Sequence, residues 1–118
     1  TKVIPELEGL FDGMSIRVPI PVGSLADFTF LLKKQVTVEQ VNRAFKRASK
    51  HPFYKGVVEV TEEPLVSSDF VGSTASAIVD LGLTNVVDGD LVKVIAWYDN
   101  EWGYSCRMVD LANYISSH

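Results

Sequence analysis

The stretch NVVDGDLVKVIAWY, from Asn85 to Tyr98, carries the strongest hairpin signal in the chain. Its Asp88–Gly89 pair suits a tight two-residue turn, and β-branched residues lie on both sides of that turn. The run Leu91–Tyr98 is almost continuously apolar, which is typical of a strand that is covered on both faces. We therefore expect two antiparallel strands here, with the second of them buried.

The overlapping stretch WYDNEWGYS, from Trp97 to Ser105, places aromatic and amide groups at the junction between this strand and a second predicted helix. Asn100 can cap that helix, or its carboxamide can pair with the amide of a bound ring. Tyr104, one helical turn later, can pack in the core or against a flat ligand ring. The predicted inner stripe of the helix comprises Tyr104, Met108, Leu111 and Ile115.

Other strands are predicted on both sides of the hairpin. Apolar and polar residues alternate over Gly13–Ile20, which indicates a half-buried strand, and again over Phe28–Leu32. Three further short strands are predicted at Gly56–Val60, Leu65–Asp69 and Ser76–Leu83.

One amphipathic helix separates these groups of strands. Thr37 can cap it, Gln40 completes a capping box, and Pro52 ends the pattern. Its apolar stripe comprises Val38, Val41, Ala44, Phe45 and Ala48. Runs of strands that do not alternate with helices favour an α+β fold, with a mainly antiparallel sheet and helices on one face. No G-x-G-x-x-G motif is present, so the pattern does not indicate a dinucleotide-binding βαβ unit.

Composition indicates one globular domain: the chain has 118 residues, 47% hydrophobic and 22% charged. The net charge of −4 argues against nucleic acid or an anionic membrane as the main partner. No signal peptide or membrane span is predicted, and the single cysteine precludes an internal disulfide and fits a reducing compartment. One basic cluster has helical spacing and is interpreted as a solvated helix face: Arg43, Lys46, Arg47 and Lys50.

Few residues suggest chemistry by themselves. Arg17, on the polar side of its predicted strand, is either an exposed or salt-bridged arginine or a receptor for an anion such as phosphate. Cys106 is interpreted as a small buried thiol rather than a nucleophile, because no histidine is near it in sequence. With His51 and His118 as the only histidines, no metal-ligand spacing exists, and no metal site is predicted.

Several motifs together resemble one enzyme family. They occur in the order KVIPEL, RVPIP, PLVSSDF, VKVIAWYDNEWGYS and RMVDL, and the resemblance runs from Lys2 to Ile115. This order is similar to that in the phosphorylating glyceraldehyde-3-phosphate dehydrogenases. The resemblance implies that residues 1–118 form a single partial domain, the C-terminal portion of the catalytic domain, with the nucleotide-binding domain absent.

The resemblance also implies roles for three residues. Arg17 matches the arginine that binds phosphate of the substrate or inorganic phosphate. Asn100 matches the asparagine that hydrogen-bonds the nicotinamide carboxamide, and Tyr104 matches a tyrosine of the nicotinamide pocket. The family's nucleophilic cysteine motif and its activating histidine have no match here, so no catalytic residue is assigned, and this chain alone is expected to be inactive.

The implied activity is the glycolytic, NAD-dependent oxidation and phosphorylation of an aldehyde to an acyl phosphate, with NADP not excluded as cofactor. The implied partners are the missing N-terminal part of the same enzyme, a phosphorylated aldehyde, inorganic phosphate and further copies in a cytoplasmic homo-oligomer, normally a tetramer. Two alternatives remain open: a non-catalytic oligomerisation or interaction module, and a relative that uses erythrose 4-phosphate or NADP.

Overall fold

The computed structural model describes residues 2–117. Four strands and two α-helices follow one another along the chain, together with two 3-10 helices at Pro5–Leu7 and Ser67–Phe70. In chain order the main elements are β1 (Ser24–Leu31), α1 (Val38–Ala48), β2 (Val58–Thr61), β3 (Ala77–Val87), β4 (Leu91–Tyr98) and α2 (Trp102–Ser116).

The strands form one sheet in the order β1-β4-β3-β2. Strand β4 pairs antiparallel with both β1 and β3, whereas β2 pairs parallel with β3. The predicted α+β class is therefore confirmed, with a sheet that is mixed rather than purely antiparallel. No helix of residues 2–117 is both long enough and apolar enough to cross a membrane.

The predicted hairpin is confirmed as the β3–β4 pair. Asp88 and Gly89 have φ values of 52° and 81°, the left-handed conformation that tight hairpin connections use. Val87 pairs with Leu91, so three residues, Asp88 to Asp90, connect the strands in place of the predicted two-residue turn. Because β4 has a strand on each side, both of its edges are satisfied, and this places the apolar run at the centre of the sheet.

Strand β3 contains an irregularity between Asp80 and Asn85, where Leu81 to Thr84 stand opposite Val94 alone. A bulge of this kind removes backbone groups from the ladder and bends the strand. The Nδ2 group of Asn42, on α1, donates a hydrogen bond to the Leu81 carbonyl at 3.0 Å. The helix therefore satisfies an acceptor at the place where the sheet pairing is interrupted.

The apolar core lies on both faces of the sheet. On one face α1 packs through Val41 and Phe45 onto buried residues of β3 and β4, namely Val79, Leu81, Val92, Val94 and Ala96. On the other face a smaller cluster contains Phe70, Ala75 and Ile78, with Leu65 and Trp97 packed against it. The rings of Phe70 and Trp97 stack with centroids 5.4 Å apart, so the second 3-10 helix is fixed to β4.

The start of α1 follows the predicted capping box. The Gln40 backbone N–H donates to the Thr37 hydroxyl at 3.3 Å, and the Thr37 backbone N–H donates to Gln40 Oε1 at 2.9 Å. The helix ends at Ala48, four residues before Pro52, because tight turns already follow Ser49. Proline therefore bounds the helical pattern without being the residue that terminates it.

The predicted strand at Gly13–Ile20 was wrong. Residues 11–18 have no regular secondary structure, and Met14 and Ile16 are exposed by 84% and 77%. A strand requires a neighbour for its backbone N–H and C=O groups, and no segment of residues 2–117 pairs with this one. Apolar and polar residues do alternate in this segment, but no strand within residues 2–117 lies beside it to form a sheet.

The predicted strand at Leu65–Asp69 was also wrong, because most of this segment is taken into the second 3-10 helix. The Asp69 carboxylate accepts a hydrogen bond from the Val66 backbone N–H at 2.8 Å, which closes a turn in place of a ladder. Phe70 then becomes buried, with an exposed fraction of 5%. A local side-chain hydrogen bond and one buried ring therefore decide the conformation here.

The proposed inner stripe of α2 was wrong as well. Its four members are half exposed or more: Tyr104, Met108, Leu111 and Ile115. Gly103 is the buried residue of this helix among the described residues. Helix α2 therefore contacts the rest of the described chain mainly through its first two turns.

We predict that Leu81→Ala lowers the free energy of unfolding by about 2–5 kcal/mol, because a buried leucine that is truncated leaves a cavity. Leu81 is 4% exposed, whereas Leu83 on the same strand is 49% exposed. Leu83→Ala is the matched control and should change stability by no more than about 0.5 kcal/mol. Urea unfolding of the protein measures both, and equal losses in the two variants would contradict the assigned core.

Candidate functional site

A buried carboxylate, Asp99, organises the corner between β4 and α2. It accepts three backbone N–H bonds: from Glu101 at 2.9 Å and Trp102 at 2.8 Å on Oδ1, and from Gly72 at 2.8 Å on Oδ2. Trp102 is the first residue of α2 and Glu101 directly precedes it, and N–H groups at the start of a helix have no partner within the helix. Asp99 thus caps α2 and also fixes the loop before β3.

The same hydrogen bonds lower the pKa of Asp99 below its usual range, with the Gly72 N–H as the largest cause, followed by those of Trp102 and Glu101. Donors that point at a carboxylate favour its charged form. Burial acts in the opposite direction and is the smaller effect. Asp99 is therefore ionised at neutral pH and supplies acceptors only.

Asn100 does not cap α2, since Asp99 performs that role. Its Oδ1 atom instead accepts hydrogen bonds from the Gly23 backbone N–H at 3.2 Å and the Ser24 hydroxyl at 3.4 Å. A backbone N–H can only donate, so the atom facing Gly23 must be the carboxamide oxygen. The Nδ2 amino group consequently remains a donor without a partner in residues 2–117.

One cavity of about 290 Å³ opens at this corner. It brings together Asn100 and Tyr104, two of the three residues singled out from the sequence. Tyr104 is 67% exposed, so its ring is available to a ligand and does not belong to the core. The cavity is lined by Ser76, Tyr98, Asp99, Asn100, Tyr104 and Arg107.

The backbone of α2 at Gly103 lies very close to the backbone at Ala75. At Gly103 a Cβ atom would lie 2.7 Å from the carbonyl oxygen of Ala75, which is closer than real Cβ contacts permit. Ala75 is fully buried, so that carbonyl has little room to move. The first turn of α2 can therefore lie against the residues before β3 only because position 103 is glycine.

Arg107 is a residue of this cavity that the sequence reasoning missed. Its Nε donates to Asp110 at 2.8 Å, and its Nη1 donates to the Gly56 carbonyl at 3.1 Å and to the Ser76 hydroxyl at 3.3 Å. Gly56 precedes β2, and Ser76 precedes β3. Tyr104 and Arg107 are three residues apart in a predicted helix, and this spacing alone indicates that the two side chains share one face of α2.

The other residues considered from the sequence lie outside the cavity. Arg17 is exposed within the irregular segment 11–18 and has no hydrogen bond or ion pair with the described residues. Cys106 is a free, half-buried thiol that does not line the cavity. Within residues 2–117, no group of three or more His, Cys, Asp or Glu side chains is arranged to hold a metal ion.

Comparison with known proteins gives a consistent result along the chain. Residues 1–100 match the family described as glyceraldehyde 3-phosphate dehydrogenase, C-terminal domain. Over 115 residues the chain is 53% identical to glyceraldehyde-3-phosphate dehydrogenase of Geobacillus stearothermophilus and 50% identical to glyceraldehyde-3-phosphate dehydrogenase 2 of Bacillus subtilis. Each match covers 98% of this chain but 34% of the relative, so the chain spans about a third of the length of these relatives.

We predict that Asp99→Asn lowers the thermal unfolding midpoint at neutral pH, because an amide group then faces a backbone N–H that needs an acceptor. A carboxylate with a lowered pKa stabilises the fold fully above the pKa of an unfolded aspartate, and this contribution is lost as the pH falls through the lowered value. The difference in thermal unfolding midpoint between the wild type and Asp99→Asn should therefore become smaller only at acidic pH.

Asp12→Asn makes the same chemical change on an exposed side chain and serves as the control. Its unfolding midpoint should follow that of the wild type throughout the pH range. Thermal unfolding followed by circular dichroism at a series of pH values measures all three proteins. An Asp99→Asn profile that matches wild type at neutral pH would contradict the capping role of this carboxylate.

Proposed function

Because the chain belongs to the glyceraldehyde 3-phosphate dehydrogenase C-terminal domain family, we propose that it forms the nicotinamide-binding corner of a NAD-dependent, phosphorylating aldehyde dehydrogenase. One observation carries this proposal: Asn100 and Tyr104 line the same cavity, and the Nδ2 group of Asn100 has no partner among the described residues. NADP remains the alternative cofactor.

The chemistry of the corner fits a nicotinamide ring. The ring carries a carboxamide whose carbonyl oxygen needs a donor, and Nδ2 of Asn100 is such a donor. The Oδ1 atom of the same side chain is held by the Gly23 N–H and the Ser24 hydroxyl at the start of β1. The exposed ring of Tyr104 offers an apolar face to a flat ligand. When bound, NAD supplies the acceptor for a hydride, and the two side chains bind and orient it.

Arg17 is proposed to bind a phosphate group, of either the substrate or inorganic phosphate. Its guanidinium has no partner within the described residues, and a planar fork of N–H donors matches the oxygens of a phosphate. Phosphate and substrate are both anions, so a positive charge close to them reduces their mutual repulsion. This role does not require Arg17 to line the cavity of Asn100.

The complete reaction needs groups that this chain does not provide. We propose that a nucleophilic thiol and its base come from the part of the protein that corresponds to the rest of its relatives' length. The balanced reaction is aldehyde, NAD and inorganic phosphate to acyl phosphate, NADH and a proton. The proposed substrate is glyceraldehyde 3-phosphate or a close sugar-phosphate analogue, and the proposed setting is a cytoplasmic homo-oligomer, with this chain inactive alone.

A second candidate is a non-catalytic association module. It is favoured by the exposed apolar side chains of α2, among them Met108 and Leu111. Large apolar side chains left in water promote association with another surface. The two candidates differ in what accompanies the chain: denaturing intact-mass analysis of the natively purified protein should reveal a polypeptide with a reactive cysteine in the first case, and none in the second.

We predict that Asn100→Asp in the complete enzyme raises KM for NAD by about 5- to 100-fold, which corresponds to about 1–3 kcal/mol for a lost hydrogen bond and an unpaired acceptor. The aspartate keeps an oxygen for Gly23 and Ser24 but replaces the Nδ2 donor with a second acceptor. Steady-state kinetics that monitor NADH absorbance measure the change.

Asn113→Asp is the control, because it makes the same chemical change at an exposed position within α2, the helix that follows Asn100. It should leave KM for NAD unchanged. If Asn100→Asp also leaves that KM unchanged while wild type is active, Asn100 does not contact the cofactor.

We predict that Arg17→Ala raises KM for phosphate or for the phosphorylated aldehyde by about 10- to 100-fold, because a charge-assisted hydrogen bond is lost. KM for NAD should not change. Arg47→Ala removes an equal charge from the exposed face of α1 and is the control. Equal effects of the two substitutions would mean that general surface charge, and not a bound phosphate, explains the loss.

A further inference from the structure

We propose that Arg107 is a positioning residue for the nicotinamide corner, a role that rests on the proposed function of Asn100 and Tyr104. Arg107 lines the same cavity, and its guanidinium joins the second turn of α2 to Gly56 and Ser76. By fixing the helix, it sets where the Tyr104 ring stands relative to the Asn100 donor.

The hydrogen bonds of Arg107 can hold α2 against the loops before β2 and β3, and in this sense Arg107 is a clamp. One nitrogen donates to a backbone carbonyl and a hydroxyl, while Nε donates to Asp110 one turn further along the helix. The Arg107 side chain is only 29% exposed, so these charge-assisted bonds are partly shielded from water. The planar guanidinium reaches acceptors from two different loops at once, which a lysine ammonium cannot do in the same geometry.

Helix α2 needs such a clamp. Most of its length is exposed, and Gly103 is its buried residue among those described. Asp99 binds the N–H groups at the start of the helix, and Gly103 allows the helix to approach Ala75 closely. Both contacts involve only the start and the first turn of the helix. Contacts confined to one turn leave the helix free to pivot, whereas a bond one turn later fixes its direction.

Arg107 acts through its neighbours and is not proposed to bind the ring itself. The nicotinamide ring of the oxidised cofactor is positively charged, so a free guanidinium beside it would be repelled. Here Asp110 pairs with the Arg107 charge at 2.8 Å, and the Gly56 carbonyl takes a further N–H. Tyr104 lies one turn before Arg107 on the same side of the helix, so a change in helix direction moves its ring directly.

The test uses the complete enzyme with the variants Arg107→Ala and Arg107→Lys. We expect Arg107→Ala to raise KM for NAD about tenfold, while KM for the phosphorylated aldehyde stays within about twofold of wild type. Arg107→Lys should give an intermediate value. Millimolar guanidinium chloride should restore NAD affinity in Arg107→Ala, measured without turnover by equilibrium titration with NAD, because a free guanidinium ion can occupy the vacated position.

Arg47→Ala, which removes an exposed arginine, should keep the wild-type KM and show no response to guanidinium. If Arg107→Ala does not fold, Ser76→Ala removes one acceptor of Arg107 and should raise KM for NAD about threefold, because this bond is long at 3.3 Å and the Gly56 carbonyl still accepts from the same nitrogen. The proposal is overturned if an active Arg107→Ala, or the Ser76→Ala substitute, keeps the wild-type KM for NAD. It is also overturned if kcat and both KM values change in parallel without rescue.

The wild-type assay separates this inference from the proposed function. If the wild-type enzyme does not reduce NAD in the presence of phosphorylated aldehyde and phosphate, the proposed function fails, and the Arg107 proposal falls with it. If wild type is active and Arg107→Ala retains its NAD affinity, the positioning role fails while the proposed function stands.

Discussion

The corner of this domain depends on one carboxylate. Asp99 follows the central strand, and its two oxygens accept N–H groups from the start of α2 and from Gly72. The end of β4, the start of α2 directly after it and the distant loop at Gly72 therefore meet at a single ionised group. Because a buried N–H without an acceptor is costly, few other side chains satisfy this arrangement. Asn100 is consequently held at the mouth of the cavity with its amino group unused by the fold.

The parts of the fold that could be predicted are those with local signals. Asp88–Gly89 specifies its turn through backbone conformation, and Thr37 with Gln40 specifies the start of α1 through reciprocal hydrogen bonds. The strand expected at Gly13–Ile20 failed because alternation shows only that a segment can join a sheet. Whether it does so depends on a neighbour, which the described residues do not supply.

The candidate site was predictable to the same limited extent. Asn100 and Tyr104 are four positions apart on a predicted strand-to-helix junction, and a resemblance suggested what they bind. Their shared cavity followed from that local geometry. Arg107 was missed because its partners, Gly56 and Ser76, belong to loops that meet only after the parallel β2–β3 pairing forms. The periodicity of α2 pointed to an inner face, yet periodicity does not identify which surface covers that face.

The arrangement of the strands also has a consequence for biosynthesis. The central hairpin consists of neighbouring segments and can form quickly, because closing a three-residue connection costs little chain entropy. Strand β1, by contrast, pairs with β4, which is synthesised much later, as Leu31 lies opposite Leu91. Until β4 leaves the ribosome, the apolar β1 segment has no native partner. During synthesis, the backbone N–H and C=O groups of β1 therefore stay unpaired until β4 has been made, and an unpaired strand edge favours association with other chains.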